Sequence, residues 1–166
     1  MRTLILFRHA KAEPADNVEK DIDRHLAPRG LTDAPKVAKA LVEAGLGVDL
    51  ALVSTAQRTQ ETWYVIAPQF EGAQVKSLAA LYDAEAEDVW RLVQEQNDAQ
   101  RLIVVGHNPF MHDLAVKILR HCKDKIAKKV RRELIHLPTS GAVAFEFPDG
   151  PFKLEQAACL GFWQAH

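Results

Sequence analysis

The 166-residue chain has only two cysteines, Cys122 and Cys159, and they show neither a metal-ligand spacing nor a paired framework. A disulfide scaffold is thereby excluded, and two packed, inert thiols in a reducing compartment are expected. Long apolar runs are missing too. The run that starts at Thr3 is broken by Arg8, too short for a signal peptide or a membrane span, so a cytoplasmic protein is the expectation. Net charge is also scarce: 21 Lys and Arg face 22 Asp and Glu, a formal −1 at pH 7. The molecule as a whole is therefore not built to grip nucleic acid or a membrane. The sequence contains no Walker-type glycine loop, aspartate-rich magnesium site, internal repeat, low-complexity tract or linker. At this length a single domain, residues 1–166, can bury a core unaided.

What is present is an alternation of strand and helix patterns. Thr3-Leu4-Ile5-Leu6-Phe7 reads as a short buried strand that ends abruptly in Arg8-His9. A polar stretch from Glu13 to Arg29 has no clear period and reads as a long surface loop. A helix then opens at Leu31-Thr32-Asp33, with Thr32 as a possible cap and Val37, Ala38, Leu41 and Val42 as its apolar stripe. Asp49–Ser54 reads as a second strand, followed by a helix that runs to Pro68. Val75–Leu81 is expected as an edge strand and Ala84–Gln96 as a helix. Arg101–Val105 repeats the opening pattern: an apolar strand, then Gly106 and His107. Helices are expected over Phe110–Arg120 and Lys123–Glu133, and a closing hairpin pairs Ala142–Phe147 with Phe152–Glu155. The order predicts an α/β three-layer sandwich: a mixed, mainly parallel sheet flanked by helices.

Three strand ends deliver Arg8-His9, Arg58 and His107, and open α/β sheets bind ligands at the carboxyl ends of their strands. Arg58 also lies in the first turn of its helix, where backbone N–H groups favour phosphate. Two arginines and a second histidine around one imidazole would repel a cation and hold a tetrahedral dianion, since the guanidinium fork meets two oxygens at once. Neutral imidazole can then act as nucleophile.

These motifs resemble those of the histidine phosphatase (phosphoglycerate mutase-like) superfamily. Arg8-His9-Ala10 is similar to its Arg-His-Gly signature, Ser54–Thr62 to its second signature, and Gly106-His107-Asn108-Pro109 to its second histidine motif. The small size, Arg8-His9-Ala10-Lys11-Ala12 and the late Thr139-Ser140-Gly141 resemble the SixA-type phosphohistidine phosphatases. The resemblance implies transient phosphorylation of His9, with Arg8, Arg58 and His107 clamping the phosphoryl group and no metal or other cofactor. It also implies substrate-binding roles for Arg24, Asn108 and Ser140, and a phosphohistidine-bearing protein as partner.

Two departures stand out. Ala10 replaces the glycine, which is tolerable if its φ is negative. The glutamate that protonates the leaving oxygen in larger members is also missing, because Leu78-Ala79-Ala80 puts alanine there. Asp83 and Glu85 are the possible substitutes, each equally readable as a helix amino-terminal acid. Lack of an acid penalises an alkoxide leaving group more than an imidazole. Two rival readings stay open: a phosphatase for a small phosphorylated metabolite, and a non-catalytic phosphate-binding adaptor. A mutase reading suffers from the little sequence available for a lid. A zinc site at His9 and His107 lacks a third ligand and is opposed by Arg8. The tryptophans read as packing anchors. The basic tract from Lys123 to Glu133 is a solvated helix face or a docking surface for an acidic phosphoprotein.

Overall fold

The computed structural model describes residues 1–166, the side chain of Asn17 excepted. Six strands form one sheet: β1 (Arg2–Arg8), β2 (Leu50–Ser54), β3 (Gln74–Leu78), β4 (Arg101–Gly106), β5 (Ala142–Phe147) and β6 (Ala158–Trp163). Five helices accompany them: α1 (Pro28–Glu43), α2 (Gln57–Ile66), α3 (Ala86–Gln94), α4 (Phe110–Leu119) and α5 (Lys125–Glu133). Strand order is β3-β2-β4-β1-β5-β6. Pairs β3–β2, β2–β4 and β4–β1 are parallel, whereas β1–β5 and β5–β6 are antiparallel.

Alternating side chains split the core into two layers, as the period of a strand requires. Ile5, Phe7, Ala51, Val53, Ile103 and Val105 pack with Val37 and Leu41 of α1 and with Trp63 and Ile66 of α2. Leu4, Leu6, Leu52, Leu102 and Val104 face the other way, toward α3, α4 and α5. Both faces of the central strands are covered, which explains why those strands read as unbroken apolar runs. Trp63 and Trp90 are buried within these two layers.

The topology also locates the site. From β1 the chain passes by way of α1 to β2, but from β4 it passes by way of α4 and α5 to β5, on the opposite side. The carboxyl ends of β1 and β4 therefore flank a topological switch point, where a crevice opens. Register brings the ends level, with Arg8 opposite Gly106 and Val53 opposite Val105. Because β5 runs antiparallel to β1, its leading turn, residues 138–141, arrives at the same edge.

Several boundaries move. The return strand of the closing hairpin is Ala158–Trp163, not Phe152–Glu155. Phe152 instead turns into the core against Trp90 and Phe147 and lies under the Arg2 guanidinium, 3.8 Å from ring centre to Cζ. Helix α1 begins at Pro28, not near Thr32, because proline at the first helical position has no N–H to lose and a preset φ. Thr32 lies inside the helix, its hydroxyl donating to the Arg29 carbonyl at 3.0 Å. Strand β3 stops at Leu78, and Ala79–Leu81 form a 3₁₀ turn. The long loop is closed at its base, where Ala12 bridges Leu26 and the Glu13 N–H donates to His25 at 2.8 Å.

Candidate active site

At the switch point a cavity of about 280 Å³ is lined by Arg8, His9, Lys11, Ala12, Arg24, Arg58, His107, Asn108 and Thr139. Four positive side chains and two imidazoles thus share one depression, with no carboxylate among its lining residues. A larger groove of about 510 Å³ opens at the other end of the sheet, beside Asp49, Gln74 and Gln96. It contains neither histidine nor arginine, so the candidate site is the smaller one.

His9 follows β1 directly, its N–H donating to the Gly106 carbonyl at 2.9 Å and its own carbonyl accepting from Ser140 at 3.1 Å. Its Nδ1 lies 2.7 Å from the Ala10 carbonyl oxygen. A carbonyl can only accept, so Nδ1 carries the hydrogen and Nε2 keeps its lone pair. Burial, then the neighbouring His107, Arg8 and Arg58, lower the His9 pKa to about 3. The hydrogen bond to Ala10 works the other way, and burial outweighs it. At neutral pH the ring is an uncharged base. Ala10, fully buried, does not adopt a positive φ, and its N–H donates to the Thr62 hydroxyl at 3.0 Å.

The arginines are held by fixed acceptors. Arg8 donates through Nη1 to the Leu137 carbonyl at 3.0 Å. Its pKa is lowered, first by burial and then by Arg58. Arg58, buried at the start of α2, donates to the carbonyl and carboxylate of Asp21. Arg24 donates to the other carboxylate oxygen at 3.1 Å, and its Nε to the Glu13 carbonyl at 2.9 Å. The Tyr82 hydroxyl donates to Asp21 Oδ2 at 2.6 Å. This lowers the Asp21 pKa to about 2, a shift led by that hydrogen bond.

His107 stands beside His9 with ring centres 5.4 Å apart. Burial and then Arg58 lower its pKa to about 4. Asn108 spans the edge, its Nδ2 donating to the Leu137 carbonyl at 2.9 Å and its Oδ1 accepting from the His112 N–H at 3.2 Å. Leu137 therefore anchors both Arg8 and Asn108 through one carbonyl.

Other sequence expectations lie elsewhere. Ser140 is fully buried in a left-handed conformation, φ 60, and does not line the cavity, although its neighbour Thr139 does. Glu85 caps α3, accepting from Asp88 while the Asp88 carboxylate accepts from the Glu85 N–H. It faces a separate cleft with Glu87 and Asp113. Asp83 is exposed and lines neither cavity. Asp21, Tyr82, Ser54 and Thr62 are the site residues that sequence reasoning passed over. Ser54 and Thr62 stood inside the second signature, and Asp21 in the loop, without a local sign of what they would meet. Among the described residues no group of three or more His, Cys, Asp or Glu side chains is placed to hold a metal ion. Cys122 and Cys159 are free and buried, burial pushing their thiols up to about 11 and about 12. Among the described residues no helix is long and apolar enough to cross a membrane.

Comparison with known proteins agrees with this geometry. The chain is 35% identical over 160 residues to an uncharacterized protein of Mycobacterium tuberculosis, a match covering 94% of this chain and 98% of that one. An uncharacterized chloroplastic protein of Arabidopsis thaliana is 35% identical over 118 residues. That match takes in 64% of this chain and about half, 54%, of the plant protein's length. Among solved structures, a candidate phosphohistidine phosphatase SixA of Nakamurella multipartitia superposes with a TM-score of 0.82 at 26% identity, covering 98% of this chain and 95% of that one. Residues 4–89 match the model of the histidine phosphatase superfamily, branch 1. By motif, sheet order and sequence alike, the chain belongs to the histidine phosphatase superfamily and resembles its SixA type.

Proposed function

We propose that this phosphatase removes phosphate from phosphohistidine on a protein, by way of a phosphoryl group carried briefly on His9. The observation that carries the reading is the 2.7 Å bond from His9 Nδ1 to the Ala10 carbonyl, which leaves Nε2 unprotonated inside a cationic cavity. Nε2 attacks phosphorus, the P–N bond to the substrate imidazole breaks, and that imidazole leaves with a proton taken from solvent. Water then attacks phosphorus on His9, loses a proton, and releases phosphate with the ring restored. Arg8, Arg24 and Arg58 neutralise the equatorial oxygens, the task that a metal ion performs in other phosphoryl-transfer sites.

The choice of phosphohistidine rests on the leaving group. No carboxyl group lines the cavity, and Asp21, at about 2, is an anion that has no proton to give. An alkoxide would depart unassisted, losing the roughly 10²–10⁴-fold help of a general acid. A protonated imidazole needs no such help.

The test is a single-turnover reaction with ³²P-phosphohistidine protein beside a panel of sugar and nucleotide phosphates. Label should appear on His9, vanish in His9→Ala, and turn over fastest from phosphohistidine. Faster release from a small ester would favour the metabolite reading, and no label with any donor would favour an adaptor.

A further inference from the structure

Ser54 ends β2, is fully buried, and is fastened from several sides. Its carbonyl accepts from the Thr59 hydroxyl and from Gln60 Nε2, both at 2.8 Å. Its hydroxyl oxygen accepts from the Ala56 N–H at 3.3 Å. The remaining neighbour of that hydroxyl is His107 Nε2, at 2.9 Å. The oxygen has a second lone pair, but the hydroxyl's one hydrogen, being buried, needs an acceptor of its own. Among the described residues the acceptor within reach is Nε2.

The other ring nitrogen completes the argument. His107 Nδ1 is buried and has no hydrogen-bond partner among the described residues, although the ring belongs to the cavity lining. A neutral imidazole that accepts at Nε2 carries its hydrogen on Nδ1. A buried N–H without an acceptor is costly, so its retention here calls for an acceptor that arrives with the substrate. A phosphoryl oxygen is such an acceptor.

We propose that Ser54 is a positioning residue for His107. Its hydroxyl selects the Nδ1–H form of the ring and so presets a donor for a phosphoryl oxygen. In the opposite form Nδ1 would turn a lone pair toward that oxygen and repel it. His107 thus works as a neutral donor, and Ser54 acts through it without touching substrate. The proposal rests on phosphate entering this cavity, not on which compound delivers it.

The test uses the full chain, labelled with ¹⁵N, at neutral pH with inorganic phosphate as the probe. Long-range ¹H–¹⁵N correlations should show His107 with its hydrogen on Nδ1, and the Nδ1 signal should move as phosphate is added. Ser54→Ala should mix the two ring forms and weaken phosphate binding about tenfold, within the roughly 10–100-fold range seen when a histidine loses its orienting partner at other sites. Ser54→Thr should restore both. A hydrogen on Nε2 in the native protein overturns the proposal, as does a Ser54→Ala protein with unchanged ring form and phosphate affinity. Should Ser54→Ala fail to fold, the native spectrum alone decides. A shift in preferred substrate, by contrast, would count against the phosphohistidine reading and leave this result standing.

Discussion

Arg58 spends both terminal nitrogens on one residue, Asp21: Nη1 donates to its carbonyl at 2.9 Å and Nη2 to its Oδ2 at 3.0 Å. The same carboxylate holds Arg24 and Tyr82, so one loop side chain orders three groups at the rim. It also leaves a negative charge beside the arginines that, on the proposed function, receive a dianion. Asp21→Asn keeps an acceptor and removes that charge. Inorganic phosphate should then inhibit turnover about threefold to fivefold more strongly, as expected from losing one partly exposed charge. An unchanged or weaker inhibition constant would show that the carboxylate does not oppose the incoming anion.

The two imidazoles give a pH signature in stability. His9 and His107, at about 3 and about 4 in the folded protein, both lie below the ordinary 6.5 of the unfolded chain. As pH falls the unfolded chain takes up protons first, so stability declines from about pH 6.5 and continues to fall until the folded values are reached. Above that window both states are neutral and these rings contribute no slope. Urea midpoints should be flat at slightly alkaline pH and drop through the mildly acidic range. His107→Gln should flatten part of the drop; an identical slope would assign it to other groups.

Helix α5 presents Lys125, Lys128, Lys129 and Arg132 to solvent, while Arg131 is tied to the Leu119 and Cys122 carbonyls at 2.6 and 3.0 Å. Beyond the helix lie the exposed Ile135 and then Leu137, whose carbonyl holds Arg8. A basic face joined through residues 134–138 to the cavity edge suits an acidic phosphoprotein. The double change Lys128→Glu with Lys129→Glu should lower kcat/KM for an acidic phosphohistidine protein about tenfold, an effect of encounter rate. Phosphohistidine as a free amino acid should be hydrolysed as before. Equal losses on both substrates would remove any docking role.

Gly30 sits where α1 crosses the segment after His9. A Cβ there would lie 2.3 Å from the Lys11 carbonyl oxygen and 3.2 Å from the Ala10 Cβ. Backbone cannot swing aside as a side chain can. Gly30→Ala should cost about 1–3 kcal/mol in urea unfolding, the range for overpacking, and should reduce turnover by displacing residues 10–11. A variant as stable and active as the parent would show that this crossing is loose.

Much of the fold was legible because central strands covered on both faces leave a signal in composition. Thr3–Phe7, Asp49–Ser54 and Arg101–Val105 read as strands for that reason. The closing strand was misplaced because Phe152 and Leu154 resemble strand residues, and nothing local announces that Phe152 is claimed by Trp90, Phe147 and Arg2. The start of α1 was misplaced because Thr32 is a good cap in isolation, whereas Pro28 and the contact of Ala27 with Lys11 decide the matter.

The sequence by itself determined which side chains stand at the strand ends: the arginines and histidines there are dictated by strand length and apolar run, both local properties. Tertiary structure alone decided their states. Burial makes His9 an uncharged base and the Ala10 carbonyl decides which ring nitrogen keeps its lone pair. Asp21 restrains Arg58 from 37 residues away, and Ser54 meets His107 across 53 residues. Protonation and hydrogen-bond direction depend on what surrounds an atom in space, and spacing along a chain carries no record of that.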